Sequence, residues 1–302
     1  MRNLALKIDV DTYRGTREGV PRLIEILQRH GARATFLSSL GPDHTGRAIK
    51  RALRPGFMSK VSRTSVVSHY GVRTLLYGTV LPGPNIGLKC ADILRGVRDA
   101  GHEVGIHTWD HVKWQDGVLD ADNPWVEAEL ERASSRFAEV FGVKAHVHGA
   151  AGWQMNRHAF RMTQRLGFAY CSDTRGTHPF MPVVDGELID CPQLPTTLPT
   201  IDELIGIDGL TAQNVAAHVL DITAQAPRHP HVYTLHAELE GMQLGNVFDA
   251  LLSGWQEQGY TLHPMQDIMN ALNREALPRH RLDRGSVPGR AGTLMTQGAS
   301  FP

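Results

Sequence analysis

Leu4-Ala5-Leu6-Lys7-Ile8-Asp9-Val10-Asp11 opens the chain as a β-rich run that ends in acids. Over such a run side chains alternate between the two faces of a strand, so Asp9 and Asp11 project to the same side at its C-terminal end. Two carboxylates side by side repel unless a cation or a proton-sharing task compensates. A helix follows, because Val20, Leu23, Ile24 and Leu27 recur at helical spacing and Gly31 supplies a stop. Ala34-Thr35-Phe36-Leu37 is then a second strand.

The same alternation continues along the chain. A helix Ala91–Ala100 leads into the strand Glu103-Val104-Gly105-Ile106, and Asn123-Pro124 starts a long helix that Gly142 ends. Short strands are expected at 145–148, 168–171 and 188–191, and Asn156 caps a helix running to Leu166. A helix around Val215–Ala224 precedes the strand His231–His236, and helix Asn246–Gln258, strand Tyr260–His263 and a helix from Pro264 complete the unit. Strands and helices alternating along nearly the whole chain predict one α/β domain built on a parallel, barrel-like sheet over residues 1–275. In such folds reactive groups gather where strands end. Asp9, Asp11, His107 and His236 all stand at such ends. Residues 276–302, rich in Arg, Gly, Pro and Ser, read as a loosely ordered basic tail.

Composition narrows the function classes. Thirty-one basic residues balance thirty-one acidic ones, which argues against a dedicated nucleic-acid binder, whose domain would be net basic. Cys90, Cys171 and Cys191 form no Cys-x-x-Cys pair and suit neither a disulfide framework nor a cysteine zinc site. The start of the chain reaches Lys7 and Asp9 before a signal-peptide core can form, and no apolar run approaches the ~18 residues of a membrane span. The chain is therefore expected on the cytoplasmic side. One segment, 44–90, departs from the overall charge balance. From His44 through Ala91 no acid occurs in 48 residues, while eight basic residues (Arg47, Lys50, Arg51, Arg54, Lys60, Arg63, Arg73, Lys89) are mixed with apolar ones. A basic, amphipathic insertion without a span suits an anionic membrane surface, where each Lys or Arg contributes on the order of 1 kcal/mol.

His107-Thr108-Trp109-Asp110-His111 sets two imidazoles four residues apart. On a helical turn both would fall on one side, a spacing suited to a divalent metal. With Asp9 and Asp11 they make a two-His, one-carboxylate metal site and leave one carboxylate over, which is what a general base needs. The residues alone do not say which acid binds and which accepts a proton. His/His/Asp ligation accommodates Zn, Co or Mn.

Asp9-Val10-Asp11, His107-Thr-x-x-His111 after Glu103-Val104-Gly105, and the Leu235-His236 strand end resemble the NodB-homology polysaccharide deacetylases, metal-dependent amide hydrolases on a distorted (β/α) barrel. Longer stretches, among them 8–23, 150–153, 172–176, 194–200 and 233–241, are similar to a branch of that family that removes formate from a 4-formamido sugar carried on undecaprenyl phosphate. The resemblance implies Asp11, His107 and His111 as ligands of one divalent metal, Asp9 as base and His236 as the acid that protonates the departing amine. It also implies a lipid-phosphate substrate at the inner-membrane surface and no nucleic acid. In two places the chain departs from the family pattern. Val10 separates acids that are usually adjacent, and Ala150-Ala151-Gly152-Trp153 replaces an Arg-x-Pro motif whose arginine orients the base. Arg175 or Arg14 is the expected substitute, and Asp173 is expected to orient His236. Trp109 and Trp153 are candidates for a sugar platform, with core packing the alternative. The rival functions are an N-deacetylase of another lipid-linked or polymeric amino sugar, and a non-catalytic lipid-phosphate-binding protein.

Overall fold

The first strand, β1 (Arg2–Val10), is buried from Leu4 onward, and its two faces meet different surroundings. Leu4, Leu6, Ile8 and Val10 pack outward against helices, whereas Ala5 joins Leu37, Val147, Leu194 and Val232 in a second cluster on the inner face. Each of these apolar side chains contributes roughly 1.5–3 kcal/mol on full burial. Lys7 and Asp9 share the inner face with Ala5 by the period of the strand. In this computed structural model residues 2–48 and 71–302 are described. Lys50, Arg51, Arg54, Lys60 and Arg63 of the basic insertion lie outside them.

Numbering α-helices of five or more residues, the outer layer comprises α1 (Val20–Arg29), α2 (Val72–Leu76), α3 (Ala91–Asp99), α4 (His111–Gly117), α5 (Asn123–Phe141), α6 (Arg157–Arg165), α7 (Val215–Thr223), α8 (Gly245–Glu257) and α9 (Met265–Asn270). The inner strands are β1, β2 (Thr35–Ser39), β3 (Glu103–Thr108), β4 (Val147–His148), β5 (Tyr170–Cys171), β8 (His231–His236) and β9 (Tyr260–His263). They form one sheet in the order β5-β4-β3-β2-β1-β8, with β9 pairing the start of β1, and every pairing in it is parallel. The expected barrel is thus a half-barrel, a parallel sheet with helices around it. Its long helix α5 buries Val126, Leu130, Ala133, Phe137 and Val140, and ends at Gly142 in the left-handed conformation, as the periodicity predicts. Its cap is Asp122, one residue before the expected Asn123, and accepts from the Trp125 N–H. Asn156 caps α6 by accepting from Ala159 N–H.

The expectation of a loosely ordered tail at 276–302 is corrected. β10 (Arg279–Gly285) and β11 (Leu294–Ser300) form an antiparallel pair, and β10 also pairs with β6 (Met181–Val184). With β7 (Glu187–Leu188) they make a second sheet, ordered β11-β10-β6-β7. Leu294 and Met295 are buried, and Arg175 exchanges backbone hydrogen bonds with Met295 and Gln297 (2.9 and 2.8 Å). A polar composition hides this because the strands are stabilised by ladder bonds to a segment a hundred residues earlier.

Candidate active site

Asp9, Asp11, His107 and His111 come together where β1 and β3 end. His107 is the penultimate residue of β3, and His111 is the first residue of α4. The two imidazoles therefore meet across a strand-to-helix turn, not on one helical turn as the spacing suggested, with ring centroids 5.3 Å apart. The Asp110 side chain caps α4 through Lys113 N–H and so fixes where His111 stands. His107 Nδ1 donates to Gly149 O at 2.6 Å. That bond leaves Nε2 as the lone-pair nitrogen, turned toward Asp11 Oδ1 at 3.2 Å. His111 Nε2 lies 3.4 Å from Asp11 Oδ2.

The donor set fits a divalent cation. Asp11, His107 and His111 each offer a ligand atom within 4.8 Å of the others. Asp11 Oδ1 is buried without a hydrogen-bond partner, a costly arrangement that a cation removes. Burial raises the Asp11 pKa, but the imidazoles of His111 and His107 outweigh it and hold the carboxyl well below the ordinary range. His107 answers in the opposite sense. Burial lowers its pKa, and Asp9 and Asp11 together raise it.

Asp11 itself is aimed by Glu238. Glu238 Oε1 accepts from the N–H groups of Asp11 (3.1 Å) and Thr12 (2.8 Å) and from the Thr12 hydroxyl (2.8 Å). The next turn, the π-helical Gly15–Gly19, presses so close that a Cβ on Gly15 would lie 2.0 Å from Glu238 Oε1. Burial, with Asp11 adjacent, keeps the Glu238 pKa well above the carboxylate range. Glu240 is equally buried, accepts from the His236 N–H (3.0 Å) and the Tyr233 hydroxyl (3.2 Å), and is pushed up to about 7 by burial against the opposing pull of His236. Both glutamates are therefore interior supports.

His236 ends β8 in direct register with Asp9 of β1. Its Nδ1 is buried and unpartnered. Asp173 does not orient it, contrary to expectation. Asp173 Oδ1 accepts from His148 Nδ1 (2.7 Å) and Ala150 N–H (2.9 Å), and Oδ2 from Gln193 Nε2 (3.2 Å). With Cys171 these residues form a polar knot in the core, beside the Cys171–Cys191 thiol contact at 3.5 Å, and all three cysteines are free.

The cation on Asp9 is one the sequence reading passed over. Lys7 is fully buried, its Nζ 3.4 Å from Asp9 Oδ2 and donating to Ser172 O at 3.2 Å. It also lies 5.1 Å above the Trp153 ring. Asp9 Oδ1 is left without a hydrogen-bond partner, 3.8 Å from His107 Nδ1. One oxygen is thus anchored and the other is open to take a proton. Arg175, the expected substitute, instead binds Glu203 Oε1 (2.6 Å) and Leu198 O (2.9 Å) and stacks on Trp153, which Arg290 also covers. Arg14 pairs with Glu18 at 3.0 Å. Trp153, 1% exposed, is core and not a sugar platform, and Trp109 sits under the Arg136 guanidinium. The signal for Lys7 was present in the strand period, which puts it on the face of Asp9 and Asp11. Replacing Lys7 by Met is expected to lower kcat about 10–100-fold with KM and bound metal little changed. Steady-state kinetics with metal analysis checks this, and an unaltered kcat would remove Lys7 from the site.

A parallel half-barrel sheet wrapped by helices is the fold of the polysaccharide deacetylases. The chain matches the family model described as "Polysaccharide deacetylase" over residues 3–171, more than half its length, and belongs to that family. A protein of Shewanella sediminis (strain HAW-EB3) named "Probable 4-deoxy-4-formamido-L-arabinose-phosphoundecaprenol deformylase ArnD" is 39% identical over 297 residues, covering 97% of this chain and 94% of the relative. A relative of the same name from Wigglesworthia glossinidia brevipalpis is 30% identical over 284 residues, 94% of this chain and 98% of the relative. A crystal structure from Mycobacterium smegmatis described as a polysaccharide deacetylase shares the fold, with a TM-score of 0.63 at 18% identity over 95% of this chain and 96% of the other.

Proposed function

We propose that this chain is a metal-dependent amide hydrolase that removes formate from 4-deoxy-4-formamido-L-arabinose linked to undecaprenyl phosphate. The product is the 4-amino-4-deoxy-L-arabinose lipid used to modify lipid A, a route to polymyxin resistance. The observation that supports it most is the assembly of Asp9, Asp11, His107, His111 and His236 at the ends of β1, β3 and β8, in a chain that aligns over nearly its whole length with relatives named for this reaction.

The chemistry a cation held by Asp11, His107 and His111 supplies is polarisation of the formamide carbonyl and stabilisation of the charge that builds on its oxygen. The chain's own groups do the proton work. Asp9, with Oδ2 tied to Lys7, takes a proton from the attacking water at Oδ1. His236 sits across from Asp9 on the neighbouring strand and gives a proton to the departing amine nitrogen. Replacing His236 by Ala is expected to cost about 10²-fold in kcat with metal retained, and near-normal turnover would refute the assignment.

Chelator-sensitive formate release from the lipid-linked formamido sugar, with loss of one formyl group by mass spectrometry, tests the reaction. No release after reconstitution with Zn, Co and Mn in turn would overturn it.

The place of action is proposed to be the cytoplasmic face of the inner membrane, reached peripherally. Among the described residues no helix is long and apolar enough to cross a membrane. The support is the acid-free basic insertion, and its test is charge reversal at Arg51, Arg54 and Lys60. Each charge is worth on the order of 1 kcal/mol at an anionic surface, so the triple variant should be released from anionic liposomes. Unchanged liposome binding would sink the docking idea.

A further inference from the structure

Two segments far apart in the sequence meet around a cleft of about 780 Å³ that the turn after Asp11 helps to line. One wall is the turn after Asp11, carrying Tyr13, Arg14, Arg17 and Glu18, and the other carries Arg73 of α2 and Lys89. They are in close contact, since a Cβ on Gly71, whose φ is +76°, would come within 2.7 Å of Arg14 Nη1. Arg14 is matched by Glu18 at 3.0 Å, and Arg17 lies over the Tyr13 ring at 5.4 Å. Among the described residues four cations against one carboxylate leave a surplus of three positive charges around one concavity, and Arg17, Arg73 and Lys89 are exposed. Like charges gathered around a cleft repel one another and raise the local concentration of an anion. Guanidinium groups on opposing walls suit a phosphate, whose oxygens accept paired N–H donors.

Position says which phosphate. Tyr13 follows Asp11 by two residues, so their Cα atoms are at most ~7.6 Å apart across two trans peptides. The Tyr13 N–H is held by Asp43 Oδ2 at 2.9 Å, which fixes the turn that forms this wall. Tyr13, a residue of the cleft wall, thus stands close along the backbone to the carboxylate proposed to bind the metal. In a pyranose with formamide at C4 and phosphate at C1, the two groups stand on opposite sides of the ring. With the formamide at His107 and His111, the phosphate is the end of the sugar turned away from those imidazoles.

We propose that this cleft is the binding site for the phosphodiester of a polyprenyl-phosphate-linked sugar, an inference that rests on the function proposed above. It makes the anionic linkage, and not the sugar alone, a determinant of substrate choice.

The test uses the metal-loaded full chain and its Arg17→Ala/Arg73→Ala/Lys89→Ala variant, all three changes being at exposed positions. Formate release is measured from the polyprenyl-phosphate-linked formamidoarabinose in micelles and from its phosphate-free methyl glycoside. The wild-type preference for the phosphate-bearing substrate, as a ratio of kcat/KM, is expected to fall at least about tenfold in the variant, chiefly through KM. An unchanged ratio overturns the assignment. If the variant leaves that ratio intact but detaches from phosphatidylglycerol vesicles, the cations meet membrane headgroups and the assignment is likewise overturned. Farnesyl phosphate binding, followed by calorimetry, separates this inference from the reaction. Wild-type binding that weakens in the variant, with no formate released from either substrate, would sink the proposed reaction and keep the phosphate site. Absence of binding to the wild type would sink the site whatever the turnover.

Discussion

Asp9→Asn is expected to lower kcat by about 10²–10⁴-fold while the protein keeps its metal. The side chain keeps its shape, but the amide cannot take a proton at the position of Oδ1, the oxygen that is buried without a partner. Metal retention follows because Asp11, His107 and His111 lie within 4.8 Å of one another without it. A second consequence distinguishes this site from an ordinary carboxylate. Lys7 is fully buried and its nearest anion is Asp9, so the variant strands a positive charge in the half-barrel. Breaking a buried pair on one side costs about 3–5 kcal/mol, which should appear as a clear drop in Tm. In the double variant Lys7→Met/Asp9→Asn the stranded charge is gone. Most of the stability should return, and none of the turnover. Thermal denaturation alongside formate release reads both, and recovery of activity in the double variant would exclude Asp9 as the base.

His107→Ala is expected to abolish metal binding and, with it, activity. Bound metal should fall from about one ion per chain to under about a tenth, because one of three protein ligands is lost. The Gly149 carbonyl at Nδ1 fixes the orientation of the imidazole, which turns Nε2 toward Asp11. It also helps to keep Asp11 ionised against its burial. Elemental analysis of the purified variant is the check, and full metal content would remove His107 from the ligand set. The hydrophobic clusters behind β3 do not include His107, so the chain should still fold.

Much of this was legible one residue at a time. A strand has a period of two, so Asp9 and Asp11 must share a face, and a strand read over Glu103–Ile106 sets His107 at its end, two residues short of where the structure ends it. Helix faces and stops were equally local, as the buried stripe of α5 and Gly142 illustrate. The two misplaced roles belong to a different kind of interaction. Asp173 was assigned to His236 by the need of a catalytic imidazole for a partner, but its carboxylate is claimed by His148, 25 positions earlier. Arg175 was assigned to Asp9 by its charge, but Glu203 and the Trp153 ring hold it elsewhere.

What the sequence by itself determined is therefore the alternating α/β architecture, the rim on which the chemistry stands, and the residue types that carry it. These follow from backbone periodicity and side-chain chemistry, which act over a few residues. Only the tertiary structure decided that Lys7 pairs with Asp9, that the last 24 residues from Arg279 make a hairpin on β6, and that Arg14 and Arg17 share a cleft with Arg73 and Lys89. Each of these rests on contacts between segments distant along the chain, such as Lys7 with Ser172, 165 positions apart. Charge and composition say that such groups need partners, and packing alone selects which ones they meet.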